Sequence, residues 1–340
     1  MKLQKIKEGQ VEVSVPVGRK YDAPVFYNKD AEFVRDINVA VLSIFKKEIG
    51  SDMKILDALS ATGISGIRYA KEVGVNAVLN DKNPVAAELI RKNASENNVN
   101  VTILNKDANL VMRESLYDFI DVDPFGSPCV FLDSVAHSVK YNRLVAISAT
   151  DTGALSGSFP NACLRKYGIR ATRTHYYNEV GVRVLITAIM NSFMRYNKAF
   201  RPLLFLAHKH YYRIWGIAEG TRNIAKQLKH YNYVNGFGPI YLGPIKDNDF
   251  IRKVRREIDE RNFKMKNDEI KFLSKIIFEI DEPFYYNINK MHLAKVPKID
   301  DIIYELKKKG FVASRSSLCD TGIKTDANKE EFNKLIGLKE

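Results

Sequence analysis

The run Asp121-Val122-Asp123-Pro124-Phe125-Gly126-Ser127-Pro128 holds residue types suited to work on a nucleobase amine. It closes a mostly apolar stretch, Leu116 to Val122, which predicts a buried strand delivering a carboxylate, a carbonyl and an aromatic ring at its C-terminal end. An exocyclic base amine is a weak nucleophile, because its lone pair is delocalised into the ring. The Asp123 carboxylate and the Pro124 carbonyl would accept from both N–H groups and align that nitrogen with an electrophile. Phe125 offers a stacking face worth roughly 1–3 kcal/mol per base. The same residues also suit a strand end closed by a proline and glycine turn with no chemistry attached, so the surrounding elements decide.

Those elements alternate from residue 54 to 150. A strand at Ile55 to Leu59 leads through the small-residue loop Ser60 to Gly66 into a helix, Ile67 to Val73. A second strand, Ala77 to Asp81, precedes Pro84 and the helix Val85 to Asn97; a third covers Val101 to Asn105, and others end at Asp123 and Ser148. Strands alternating with helices imply an α/β fold with a parallel, doubly wound sheet. Right-handed crossovers place the polar strand ends on one edge, where open α/β sheets bind ligands.

That edge collects Asp57, Asp81, Asp107 and Asp123. In a nucleotide-binding layout the acid after strand two takes ribose hydroxyls, and Asp107 with Ala108 would border an adenine ring. Each Asp could instead cap a following helix. The loop Leu59-Ser60-Ala61-Thr62-Gly63 has one glycine where a dinucleotide site wants Gly-x-Gly-x-x-Gly to approach a pyrophosphate. It fits S-adenosylmethionine, which has no phosphate. Upstream, Val11-Glu12-Val13-Ser14-Val15 predicts a strand or hairpin, and Asn28 to Ile49 a helix capped by Asn28 and ended by Gly50. Arg35 lies beside its apolar face, to pair with a ligand carboxylate or to reach solvent.

At 340 residues and 45% hydrophobic composition, the chain has room for one large domain and a smaller one. No apolar stretch approaches the ~20 residues of a membrane span, and the N-terminus lacks the apolar core of a signal peptide. Cys129, Cys163 and Cys319 stand singly, which argues against a disulfide framework or a Cys-rich zinc site and for a cytoplasmic location. The net charge is +13, and between Asn161 and His230 thirteen Lys or Arg face only Glu179 and Glu219. Interleaved Tyr167, Tyr176, Tyr177, Tyr196, Tyr211, Tyr212 and Trp215 complete the expected footprint of a nucleic-acid backbone. A solvated face over core aromatics, or an acidic protein partner, would share that composition.

Residues 1–245 are expected to form the catalytic domain with its basic RNA-facing surface, including helices around Ala162 to Tyr167 and Glu179 to Tyr196. The strand Leu203 to Ala207 is expected to continue through Tyr211 to Ile217. Residues 246–340 are expected to form a C-terminal α+β domain of winged-helix type, to steer RNA or to cover the catalytic domain, with helices at Phe250 to Ile258, Glu269 to Ile280 and Asp300 to Lys309, and a strand at Phe311 to Ser314. His175 and His208 are expected to be structural or to face RNA, with no metal.

Taken together, the chain resembles the class I S-adenosylmethionine-dependent methyltransferases, with a Rossmann-like sheet, and more narrowly the tRNA guanine-26 N2-dimethyltransferase family. The likeness runs over nearly the whole chain: Phe26-Tyr27-Asn28 with Arg35-Asp36; Asp57 to Arg68; Asn80-Asp81; Asp107-Ala108; Asp121 to Gly126; Thr150-Asp151-Thr152; Gly238 to Pro244; and Ser314-Arg315 with Lys324-Thr325-Asp326. The resemblance implies that Arg35, Arg68, Asp81, Asp107 and Ala108 contact the cofactor, the two arginines near its methionine carboxylate. It implies that Asp123 binds the guanine N2 amine and helps remove its proton, while Phe26 and Phe125 stack on the extruded base. Leu59, Ala61 and Phe125-Gly126 depart from the broad class but fit the narrower family. Many relatives carry a four-cysteine zinc site that Lys229-His230-Tyr231-Asn232-Tyr233 lacks. The resemblance implies no obligate protein partner. Two other readings are a methyltransferase for another exocyclic amine, in rRNA or on adenine, and a non-catalytic RNA-binding protein.

Overall fold

The structure is a computed structural model that describes residues 2–17, 24–50, 52–208, 211–291 and 297–337. It opens with a hairpin of β1 (Leu3–Glu8) and β2 (Val11–Pro16). Helix α1 (Glu32–Ile49) is entered through a 3-10 turn in which the Asn28 side chain accepts from the Asp30 N–H, and Gly50 ends it in the left-handed region. The alternating part is β3 (Lys54–Asp57), α2 (Ile64–Arg68) continued by a π turn, β4 (Asn76–Asn80), α3 (Pro84–Glu96) and β5 (Thr102–Leu104). It goes on through α4 (Ala108–Glu114), β6 (Tyr117–Val122), α5 (Cys129–Ser138) and β7 (Val139–Ala149).

These five strands are parallel in the order β5-β4-β3-β6-β7. Strand order reverses between β3 and β6, so the loops after those two strands diverge and open a crevice between them. A Cβ at Gly66 would meet the Leu79 side chain at 2.5 Å, so only glycine lets α2 lie this close to β4.

Helices α6 (Thr152–Leu155), α7 (Pro160–Tyr167) and α8 (Tyr177–Arg195) lead to β8 (Ala199–His208) and β9 (Tyr211–Glu219). Residues 211–217 do not extend the preceding strand as expected. They fold back antiparallel to β8 and insert between it and β7, giving a mixed seven-stranded sheet ending β7-β9-β8. A single strand over residues 203–217 would run about 50 Å at 3.3 Å per residue, well beyond the 11-residue β7 it has to pair with. Residues 209 and 210 lie outside the described residues.

Helix α9 (Ile224–Leu228) and the hairpin β10 (Tyr231–Val234) and β11 (Phe237–Tyr241) precede α10 (Asn248–Asp259) and α11 (Lys266–Phe278). The chain ends with β12 (Tyr286–Asn287), α12 (Ile299–Lys308), β13 (Ala313–Arg315), β14 (Gly322–Thr325) and α13 (Lys329–Ile336). The core divides later than the change in composition at 246. Phe250, Ile251, Val254, Ile258, Leu273 and Ile276 belong to the main core, so α10 and α11 are part of the large body. A separate small core of Ile288, Ile302, Leu306, Ile323 and Phe332 lies with the antiparallel sheet β12-β14-β13 and its two helices.

Candidate active site

Strand β6 is buried along its whole length and releases Asp123 at an exposed position on the crevice edge. The loop after it is tied to the end of β7: the Gly126 N–H donates to Thr150 Oγ1 at 2.6 Å, and the Thr150 N–H donates to the Gly126 carbonyl at 2.9 Å. Gly126 takes φ +79°, a turn that L side chains resist. This turn leaves Phe125 64% exposed. The Phe26 ring meets it edge to face, centroids 4.4 Å apart and planes at 82°. Rings that sandwich a base must lie face to face about 7 Å apart, twice a carbon contact distance. As placed, the two rings form no sandwich; Phe26 must turn for both to stack on one base.

Beneath Asp123 lies a group that the sequence did not disclose. Asp121 on β6 is buried, with one oxygen accepting from Arg213 Nη2 at 2.7 Å and the other from the Tyr69 hydroxyl at 2.6 Å. Arg213, on β9 and fully buried, also donates from Nη1 to Ser148 Oγ at 2.7 Å. Burial and the Asp121 carboxylate push Asp57 up to about 8, which keeps it protonated at neutral pH. Although Asp123 reaches the crevice surface, desolvation by the surrounding crevice walls raises its pKa, and Asp121 adds to that rise, while Arg213, Ser148 and Arg35 oppose it. A hint was present: Arg213 stands between Tyr212 and Ile214-Trp215 in an otherwise apolar strand, where an isolated charge implies a buried partner.

On the other side of the crevice, the loop after β3 holds Ala61 at φ 49°. A residue with a Cβ costs roughly 1–2 kcal/mol in this left-handed conformation. Asp81 stabilises it by accepting from the Ala61 N–H at 2.8 Å, and its other oxygen accepts from the Asn83 N–H at 2.8 Å. Asp107 caps α4 through the Asn109 N–H at 2.9 Å, next to the buried Ala108. The Asp57 carboxylate accepts from the Gly66 N–H at 3.0 Å. The four strand-end acids thus share one edge, and three of them organise backbone there.

Arg35 and Arg68 converge on Glu8, a residue that the sequence reading passed over. Arg35 Nε and Nη2 lie 2.6 and 2.8 Å from its two carboxylate oxygens, and Arg68 Nη1 lies 3.0 Å from Oε1. Arg68 is fully buried, with Asp36 and Glu72 each at 2.6 Å. The hairpin of β1 and β2 therefore closes over both guanidinium groups. Beside this cluster, burial and the neighbouring Asp36 carboxyl push Glu269 on α11 up to about 9.

The positive stretch from 161 to 230 proves to be two populations. Arg183 pairs with Glu179, Arg213 with Asp121, Lys198 with three main-chain carbonyls, and Arg201 with Glu219 and Asp247; Trp215 is wholly buried. Arg165, Arg170, Arg173, Arg222, Lys226 and Lys229 remain exposed. Among the described residues no group of His, Cys, Asp and Glu could hold a metal, and no helix is long and apolar enough to cross a membrane.

Comparison with known proteins gives this geometry its context. Residues 4–236 and 216–337 match the family described as N2,N2-dimethylguanosine tRNA methyltransferase. A tRNA (guanine(26)-N(2))-dimethyltransferase of Methanosphaera stadtmanae is 35% identical over 97% of this chain and 96% of its own. One from Archaeoglobus fulgidus is 36% identical over 97% and 98%. The solved structure of Trm1 from Pyrococcus horikoshii with S-adenosyl-L-methionine superposes with a TM-score of 0.90 at 32% identity, covering 98% of this chain and all of that one. With matches of this extent in both sequence and fold, the chain belongs to the N2,N2-dimethylguanosine tRNA methyltransferase family.

Proposed function

We propose that this chain transfers one or two methyl groups from S-adenosyl-L-methionine to the exocyclic N2 amine of guanine 26 in tRNA. The observation that carries the reading is the open end of β6, where Asp123 and a largely exposed Phe125 sit together at the reversal of strand order. The crevice suits the methyl donor. Its loop after β3 offers no glycine-rich cradle for a pyrophosphate, and Asp81 and Asp107 line the β4 and β5 ends. Asn109 Oδ1 there is buried without a hydrogen-bond partner among the described residues, an acceptor that an adenine amine would satisfy.

S-adenosylmethionine supplies a methyl group on a sulfonium, so that the N–C bond forms as the C–S bond breaks. The protein's part is to bind, orient and take up the proton. Asp81 takes the ribose hydroxyls, and Asp107 with Ala108 borders the adenine. Arg35 and Arg68 face the polar end of the methionine moiety. Because both already hold Glu8, its carboxylate must yield an N–H bond for either to grip a ligand carboxylate. Phe125, with Phe26 turned aside, stacks on the extruded base and offsets a few kcal/mol of unstacking. The Asp123 carboxylate and the Pro124 carbonyl accept from the N2 hydrogens, and Asp123 receives the proton that leaves as the new bond forms. Alignment is the larger part of catalysis for a direct displacement.

The tRNA body needs contacts away from the flipped base. Between α10 and α11 lies a cleft of about 290 Å³ lined by Arg252, Arg255, Arg256, Ser274, Ile277 and Phe278. Phe278 is 80% exposed, and Arg255 and Arg256 have no carboxylate partner among the described residues. Cations flanking an exposed ring suit a phosphate backbone. The test of the catalytic assignment is Asp123→Asn: single-turnover methylation should fall by at least about 10³-fold, with S-adenosylmethionine affinity by calorimetry within about threefold. A variant that still methylates at near wild-type rate would remove Asp123 from the chemistry.

A further inference from the structure

We propose that Ser148 and Arg213 are positioning residues that hold the Asp123 carboxylate charged and aimed at the base amine, an inference that rests on the reading of Asp123 given above. The sheet register puts the three in line across adjacent strands. Val122 on β6 pairs with Ile147 on β7, so Asp123 and Ser148 follow at the same height. Ser148 in turn pairs with Arg213 on β9. Side chains at matched positions of neighbouring strands project to the same face, and Asp121, two residues before Asp123, shares that face.

The hydrogen bonds run in one direction. Arg213 donates to Ser148 Oγ at 2.7 Å, which makes the hydroxyl an acceptor on that side. The hydroxyl keeps its own proton to offer to Asp123, its neighbour at the same height on β6, and turned that way it would stabilise the carboxylate. Arg213 is kept in place by its second bond to Asp121 at 2.7 Å and by its position 5.2 Å over the Trp215 ring. The Trp215 indole N–H is itself fixed to Asn38 Oδ1 at 2.8 Å. The Arg213 Nε is buried with no hydrogen-bond partner among the described residues.

The groups around Asp123 show why such support is needed. Asp57 on β3 and Asp121 on β6 place two more carboxyls nearby, while Tyr69 after α2 and Tyr211 on β9 are neutral phenols held above their ordinary pKa. Desolvation by the crevice walls and repulsion from Asp121 favour the protonated form of Asp123, which cannot accept the amine proton. Against them stand Arg213, the Ser148 hydroxyl and, from α1, Arg35. Since the ionised form is required, activity falls as pH drops through the Asp123 pKa, and loss of Ser148 or Arg213 must move that fall to higher pH.

The test is the pH dependence of single-turnover methylation, with the methyl donor saturating, for wild type, Ser148→Ala, Ser148→Thr and Arg213→Lys, with Asp123→Asn as reference. Ser148→Ala should move the acid limb up by about one pH unit and leave S-adenosylmethionine affinity unchanged. Ser148→Thr, which keeps the hydroxyl, should restore the wild-type limb, and a folded Arg213→Lys should shift it at least as far as Ser148→Ala. An inactive Asp123→Asn with an unmoved limb in Ser148→Ala overturns the positioning role. An active Asp123→Asn instead overturns the assignment of Asp123 on which the inference stands.

Discussion

Replacing Phe125 by Ala should separate catalysis from folding. The ring is 64% exposed, and its ring contact is the 4.4 Å edge-to-face approach to Phe26. An aromatic pair is worth at most about 1.5 kcal/mol. With an unfolding entropy of about 0.7 kcal/mol/K for a chain of this length, losing it lowers Tm by only about 2 °C. The loss to the reaction is larger, because the ring face presented at the β6 end has to compensate for unstacking. A stacking term of roughly 1–3 kcal/mol corresponds to about a 5- to 150-fold fall in kcat/KM for tRNA. Phe125→Leu, which keeps apolar area but no π face, should fall between, and Phe125→Trp should retain most activity. The assay is single-turnover methylation of a tRNA transcript beside a thermal melt. A kcat/KM for Phe125→Ala within twofold of wild type would refute the stacking role, and a Tm loss above about 5 °C would make the ring a fold element instead.

Other perturbations test neighbouring parts of the account. Lys324 on β14 is buried 3.2 Å from Glu179 on α8 and 3.2 Å from Glu279, joining the small module to the main body. Lys324→Met leaves both carboxylates under-compensated and should cost about 3–5 kcal/mol, a Tm loss of about 4–7 °C; a change under 1 °C in a melt would contradict this. Burial alone would raise the Glu179 pKa, but Lys324 and Arg183 outweigh it and hold it below the usual range. That contribution is present above the unfolded pKa of about 4.3 and is lost as pH falls through the lower folded value, so in denaturant titrations between pH 5 and 3 the wild type should lose more stability than Lys324→Met. Arg255→Gln and Arg256→Gln should each weaken tRNA binding and reduce its salt-dependence slope by about one, without altering donor affinity; an unchanged slope would take the α10 and α11 cleft out of the RNA path.

Much of the catalytic half was legible because its signals are local. Apolar runs ending in acids gave β3, β4 and β6 within a residue or two, and Gly50 ended α1, whereas Asn28 caps the 3-10 turn that leads into α1 and not the helix itself. Helices α4 and α5 gave no comparable signal: α4 is a seven-residue helix, and α5 starts from Pro128 without a side-chain cap. What stayed hidden depends on contacts distant in sequence. The apolar pattern of residues 199–219 is the same for one long strand as for two, and only the need to pair with β7 folds it into β8 and β9. The positive count over 161–230 could not separate Arg183 and Arg213, held inside by Glu179 and Asp121, from the exposed Arg165 and Lys229. Glu8, in a strand of alternating polar residues, acquires its place only when the hairpin lies against Arg35 and Arg68. Likewise, the amphipathic α10 looked like the start of a new domain, although its apolar face completes the main core.

The most direct measurement incubates the purified protein with labelled S-adenosylmethionine and two unmodified tRNA transcripts that differ only at nucleotide 26, guanine in one and adenine in the other, followed by mass spectrometry of the nucleosides. Label on the guanine transcript alone, recovered as N2-methylated guanosine, is the predicted result. Equal label on both transcripts, or a methyl group on any other atom, would contradict the assignment of guanine 26 N2 as the acceptor.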